Sequence, residues 1–87
     1  MLVRVVGDFD LATVPILEQA LARTYAGGDD VLLDASGVTF FDAASLGVLI
    51  GARHTLAERG RTLTVINPPS AVARLLSIAG LEALLAA

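Results

Sequence analysis

The 87-residue sequence contains neither cysteine nor lysine, and a single histidine. Without thiols, disulfides and thiolate metal sites are excluded, and a reducing cytoplasm is permitted. His54 has no second His and no Cys to share an ion with, so it reads as solvent-facing surface and no metal is expected. Gly-rich phosphate loops, Gly-x-Gly-x-x-Gly and His-Glu-x-x-His are all missing. A hydrolase built on Ser36 or Ser45 with His54 lacks the Gly-x-Ser-x-Gly elbow that would expose the nucleophile. The chain is therefore expected not to be an enzyme and to need no cofactor. No apolar run reaches about 18 residues, which excludes a membrane-spanning helix. The opening LVRVVGDFD is strand-like, with acids after it, and is no secretory signal. Basic residues are few, and the net charge of −3 argues against nucleic acid as a partner.

What is present is apolar. Hydrophobic residues make up 55% and charged residues 17%, which excludes a disordered chain and predicts one small domain over 1–87 with a well-filled core. The stretch VLLDASGVTFFDAASLGVLI, residues 31–50, organises it. Val31–Asp34 is a short apolar run after the turn signal Gly27-Gly28-Asp29-Asp30, and reads as a buried strand. Ser36-Gly37 is expected to break it, and Phe40-Phe41 to restore an extended segment. Asp42 then reads as an N-cap, its carboxylate accepting the unpaired amides of the next turn. A helix follows as far as Gly60, with Leu46, Leu49, Ile50 and Leu56 on its apolar side. The strand-to-helix corner at Asp42 presents a positive helix end, which suits an anion or a phosphorylated hydroxyl. Gly47 and Gly51 each cost that helix about 1 kcal/mol relative to Ala. Two explanations stand: close packing of helix on sheet, or a flat surface for a partner backbone.

Before this stretch, Leu2–Val6 is a strand ended by Gly7, and Asp8-Phe9-Asp10 is a corner. Thr13 reads as the N-cap of a helix with Pro15 in its first turn and Val14, Leu17, Leu21 and Tyr25 on one face. After it, Arg61–Ile66 is a third strand, stopped by Asn67-Pro68-Pro69. Ser70 reads as the cap of a third helix, which ends at Gly80 and turns Val72, Leu75, Leu76 and Ala79 inward. The tail LEALLAA fits a last helical turn or an edge strand. Strands alternating with helices predict an α/β layer with a small, largely parallel sheet. Residues 1–42 hold seven of the nine acids, five of them Asp at predicted turns. Asp favours turns in any case; the alternative is an acidic patch for a basic partner.

The run D-A-S-G-V-T-F-F-D-A-A-S-L-G-V-L-I, residues 34–50, resembles the core signature of STAS domains, the fold of bacterial anti-sigma factor antagonists, roughly D-x-S-x-V-x-F-x-D-S-S-G-L-G-V-L. Gly7-Asp8-Phe9-Asp10 with Thr13 is similar to that family's G-E-L-D-x-x-T lead-in to the first helix, and Asn67-Pro68 to its penultimate loop. These spaced motifs span nearly the whole chain. The resemblance implies a STAS-like α/β fold, a single small mixed sheet with helices, here beginning one strand later than the family pattern. It also implies a cytoplasmic, partner-switching regulator of transcription that binds a kinase-type anti-sigma factor, whose ATP phosphorylates a Ser at the corner and so breaks the complex. On matching positions Asp10 and Asp42 would line the contact surface, and Leu46 and Gly47 would pack against the partner. The position of the phosphoacceptor Ser is Ala44, and the Gly after it is Ser45. Ser45 is thus the candidate for phosphorylation at this corner, against the reading that it is a polar first-turn residue only.

Two other roles fit a STAS-like domain: a scaffold or subunit of a transporter, or a domain of a sensory complex. Receiver-type phosphoacceptor modules share the strand–helix alternation but need a Lys and an acidic pair closing the first strand; here Asp29-Asp30 precede a strand. If the family's first strand is missing, Leu2–Val6 is an open sheet edge, with Arg4 its only discouraging charge, and a homodimer or partner-strand addition is expected.

Overall fold

Val3, Val5 and Phe9 turn inward while Leu2, Arg4, Val6 and Asp8 turn outward, the alternation of a half-buried strand. In the computed structural model, which describes residues 1–86, this strand (β1, Leu2–Phe9) runs through Gly7, whose φ of +104° no side chain would tolerate well. Helix α1 (Val14–Ala22) follows, then β2 (Val31–Phe41), α2 (Ala43–Ala57), β3 (Leu63–Ile66), α3 (Ser70–Ile78) and a 3-10 turn at Glu82–Leu84. The sheet order is β1-β2-β3, and both pairings are parallel. This is the small α/β architecture expected from the alternation of strands and helices. Helices α1 and α2 pack on each other, α1 over β1 and α2 over β2 and β3, while α3 packs on β2. Leu17, Leu21, Leu33, Leu49, Leu56 and Leu76 are among the fully buried side chains of the core they enclose.

The break expected at Ser36-Gly37 does not occur. β2 is one strand of 11 residues, and the irregularity is absorbed as two shifts of register against β1, between Arg4 and Val6 and between Gly7 and Asp8. At each, β2 carries one residue more than β1, as in a β-bulge. The Asp34 carboxylate fixes the first shift by accepting from Ser36 N at 2.9 Å, and its other oxygen accepts from Arg4 Nε at 3.2 Å. A Cβ at Gly37 would sit 3.0 Å from Val6 Cγ2 and 3.4 Å from Val5 O, so a larger residue there would have to displace the exposed Val6 side chain.

β3 starts two residues later than expected, because Arg61 and Thr62 are committed elsewhere. Thr62 N donates to Asp30 Oδ1 at 2.8 Å. The buried Arg61 guanidinium donates to the carbonyls of Thr24, Tyr25 and Asp29 at 2.8, 3.2 and 2.6 Å. It thereby ties the loop after α1 to the segment leading into β3, alongside Gly27 N on Thr24 O and Arg59 on Tyr25 O. Asn67, at φ 53°, turns the chain out of β3. Ser70 begins α3 but does not cap it; Pro69 occupies the cap position. The tail combines both of its expected forms, a 3-10 turn and then a parallel bridge from Leu85 to Val65; Ala87 lies outside the described residues.

A candidate partner-binding corner at the carboxyl end of the sheet

β1 and β2 finish side by side, Phe9 opposite Phe41, with their rings in an edge-to-face contact at 5.7 Å between centroids. This fixes the point at which both chains leave the sheet. Asp42 has the extended backbone of an N-cap, and its Oδ1 accepts from Ser45 N at 3.0 Å, as the sequence predicts. The carboxylate thus fills the positive helix end itself. Ser45 closes the corner from below: fully buried, its Oγ donates to Phe9 O at 2.7 Å and lies 3.2 Å from Asp42 Oδ1. Phe9 O also accepts from Asp42 N at 3.2 Å. One carbonyl therefore ties strand end, cap and first helical turn together.

Asp10 stands at the neighbouring strand end and makes a tight turn of its own. Its Oδ1 accepts from Ala12 N at 2.9 Å and Thr13 N at 3.1 Å. The Thr13 N–H, with the Thr13 hydroxyl, holds the Asp10 carboxyl below its ordinary range. Thr13 sits at the N-cap position of α1, but its hydroxyl reaches back to Asp8 O at 2.9 Å rather than forward into the helix. Asp34 is likewise held low, first by the Ser36 N–H. Asp8 in turn accepts from Thr39 Oγ1. Asp10, Asp34 and Asp42 thus accept from amides two or three positions further on, as turn and cap chemistry expects, whereas Asp8 and Asp30 accept from Thr39 and Thr62, far away in sequence.

Among the residues proposed from sequence, Asp42, Ala44, Ser45 and Gly47 share the first turns of α2, with Asp10 one strand away. Leu46 is half-buried against the core, on the flank of α2 it shares with Ile50 and Arg53 by helical spacing. Ile50 does not join the apolar side; it is 50% exposed. Ala44 and Gly47 open instead into a groove of about 530 Å³ between α1 and α2, where Val14, Glu18, Gly51 and Thr55 also contribute. Sequence reasoning did not find this groove, although the Gly47–Gly51 spacing was its trace. A Cβ built on either glycine meets nothing within 4 Å. Close packing on the sheet therefore does not explain them; they form an open floor. His54 is exposed and pairs with Glu58 at 3.2 Å.

The family model described as "Mlab, STAS domain" matches residues 1–86. The chain belongs to the STAS family. Among curated proteins, this STAS domain is 31% identical to an anti-sigma-B factor antagonist of Staphylococcus epidermidis over 84 residues, which is 95% of this chain and 78% of that protein. An anti-sigma-B factor antagonist of Staphylococcus aureus is 30% identical over the same shares. Among solved structures, the anti-sigma factor antagonist SpoIIAA in its unphosphorylated form superposes with a TM-score of 0.77 at 22% identity, over 98% of this chain and 76% of that one. The Bacillus cell fate determinant SpoIIAA in the phosphorylated form gives 0.71 at 18%, over 98% and 78%. The STAS fold expected from the three motifs is the fold observed. No helix among the described residues is long and apolar enough to cross a membrane.

Proposed function

We propose that this STAS domain is a cytoplasmic anti-sigma factor antagonist that binds a kinase-type anti-sigma factor and is constitutively active. The observation that carries the binding role is the free surface of α2 beside the corner: Gly47 and Gly51 are exposed with open space over both. Two glycines in a helix of 15 residues lower its stability without serving the core, and a contacting backbone is what such a surface accommodates. The family and the curated relatives supply the class of partner. Constitutive activity rests on the hydroxyls at the corner. Ala44 has none, and that of Ser45 is buried and bonded to Phe9 O. Phosphorylating Ser45 would remove that bond and force about −1.5 to −2 charges into a closed space.

Capture from the native host with the tagged domain, read by mass spectrometry, tests this reading. The expected partner is a kinase-type anti-sigma factor, retained by the wild type and lost by Gly47→Val. Recovery of a transporter ATPase in its place would contradict it and support the scaffold role.

A further inference from the structure

The groove between α1 and α2 has a direction and a sign. Both helices leave the carboxyl ends of neighbouring parallel strands and run back along the sheet, so they lie side by side in the same sense. Val14 and Glu18, four positions apart, form one wall, and Tyr25 continues it past the end of α1. Ala44, Gly47, Gly51 and Thr55 repeat at helical spacing along α2, a run of about 16 Å that starts beside the Asp42 corner. The corner end is apolar, at Val14 and Ala44, and the far end carries the hydroxyls of Tyr25 and Thr55. Among the described residues, Glu18 is the one charged side chain of the lining, and no cation lies within 4 Å of its carboxylate. Arg59 stands at the far end but is taken up by Tyr25, whose carbonyl it holds and over whose ring it lies at 6.0 Å. Burial pushes the Tyr25 hydroxyl above its ordinary range and Glu18 adds to the shift, so a protonated phenol stands near the free carboxylate.

The floor restricts what can lie on it. The backbone N–H groups of Gly47 and Gly51 are spent inside α2, so the floor offers an incoming chain no backbone donors. An extended segment laid there would leave its own amides and carbonyls unpaired on that side, whereas a helix arrives with them paired. The missing side chains at 47 and 51 let it approach closely. We infer that this groove receives an amphipathic helix of the protein partner, about three turns long, with small side chains over Gly47 and Gly51 and a Lys or Arg paired with Glu18. This rests on the binding role proposed above, and extends the contact surface from the corner along α2.

The probe is the anti-sigma factor recovered with the tagged domain, purified and titrated against variants. Glu18→Lys is expected to weaken binding about 100-fold and Glu18→Gln about 10-fold. Neither should move the melting temperature, because Glu18 is exposed and unpaired. Gly51→Val should weaken binding as well, whereas Gln19→Ala, on the exposed side of α1 next to the groove wall, should not. A photoreactive residue at position 55 should cross-link to a helical partner segment that carries a Lys or Arg. Reversing that cation to Glu should restore binding by Glu18→Lys. An anti-sigma factor that binds Glu18→Lys and Gly51→Val as tightly as the wild type would overturn the inference and leave the binding role standing. So would a cross-linked segment that lacks a cation or is not helical. If a transporter ATPase is recovered in its place, the anti-sigma role falls, and the same variants decide the groove against that protein, lost affinity supporting it and equal affinity overturning it. Recovery of no partner overturns both.

Discussion

Ser45 Oγ donates to the carbonyl of Phe9 across 2.7 Å, joining residues 36 positions apart in sequence. The bond lies inside the corner, where water does not replace it. Ser45→Ala should therefore destabilise the domain by about 1–2 kcal/mol. The shift in urea midpoint measures it; a midpoint equal to wild type would show that the hydroxyl does not hold the corner.

The glycines of α2 should separate stability from binding. Gly47→Ala and Gly51→Ala place a methyl group in open space and should each stabilise the isolated domain by about 1 kcal/mol. Gly47→Val should leave the melting temperature near or above that of wild type while weakening the captured complex. A loss of stability with Gly47→Ala would return this residue to a packing role.

Arg61 should tolerate no replacement. Truncation to Ala leaves the Asp29 carbonyl without its donor and takes one of two donors from the carbonyls of Thr24 and Tyr25, which keep Gly27 N and Arg59, at a cost of about 2 kcal/mol. Arg61→Lys should recover little, because an ammonium cannot reproduce the planar fork. Thermal unfolding of the two variants checks this, and near-complete rescue by Lys would contradict it.

Acid should weaken the fold through Asp10 and Asp34. Both carboxyls are held below their ordinary range by backbone N–H groups. The stability they contribute is present above the unfolded-state pKa of about 4 and is lost as pH falls through the lower folded-state values. Unfolding free energy should therefore decline between about pH 5 and pH 2, and less steeply in Asp34→Asn, whose amide oxygen still accepts from Ser36 but does not titrate. Equal slopes in the two proteins would remove Asp34 from the account.

The legible features were those decided by near neighbours. Asp42 was readable as a cap because its acceptor role is settled within three residues, at Ser45 N. The inward faces of α1 and α3, at Leu17, Leu21, Val72 and Leu76, were readable from helical period. What escaped depends on distant partners. The continuity of β2 through Ser36-Gly37 is set by β1, whose Val6 lies against Gly37. Arg61 looked like a strand residue because its acceptors lie 32 to 37 positions away. Ile50 has the period of the apolar side, yet it stands half exposed, while Leu46 one turn earlier on the same flank still reaches the core. Ser45 showed a hydroxyl in sequence; only the arrival of β1 beneath it shows where that hydroxyl points.

On the proposed function, the corner at Asp42 binds an anti-sigma factor and is not switched off by phosphate. The direct measurement is to incubate the domain with its cognate anti-sigma kinase and ATP, map any phosphate by mass spectrometry, and compare binding in ATP with binding in ADP. The wild type should stay unmodified and bind equally in both, while Ala44→Ser, with a hydroxyl restored next to Ser45, should become phosphorylated and release the kinase in ATP. Phosphate on Ser45 of the wild type that releases the partner, and is abolished by Ser45→Ala, would contradict it.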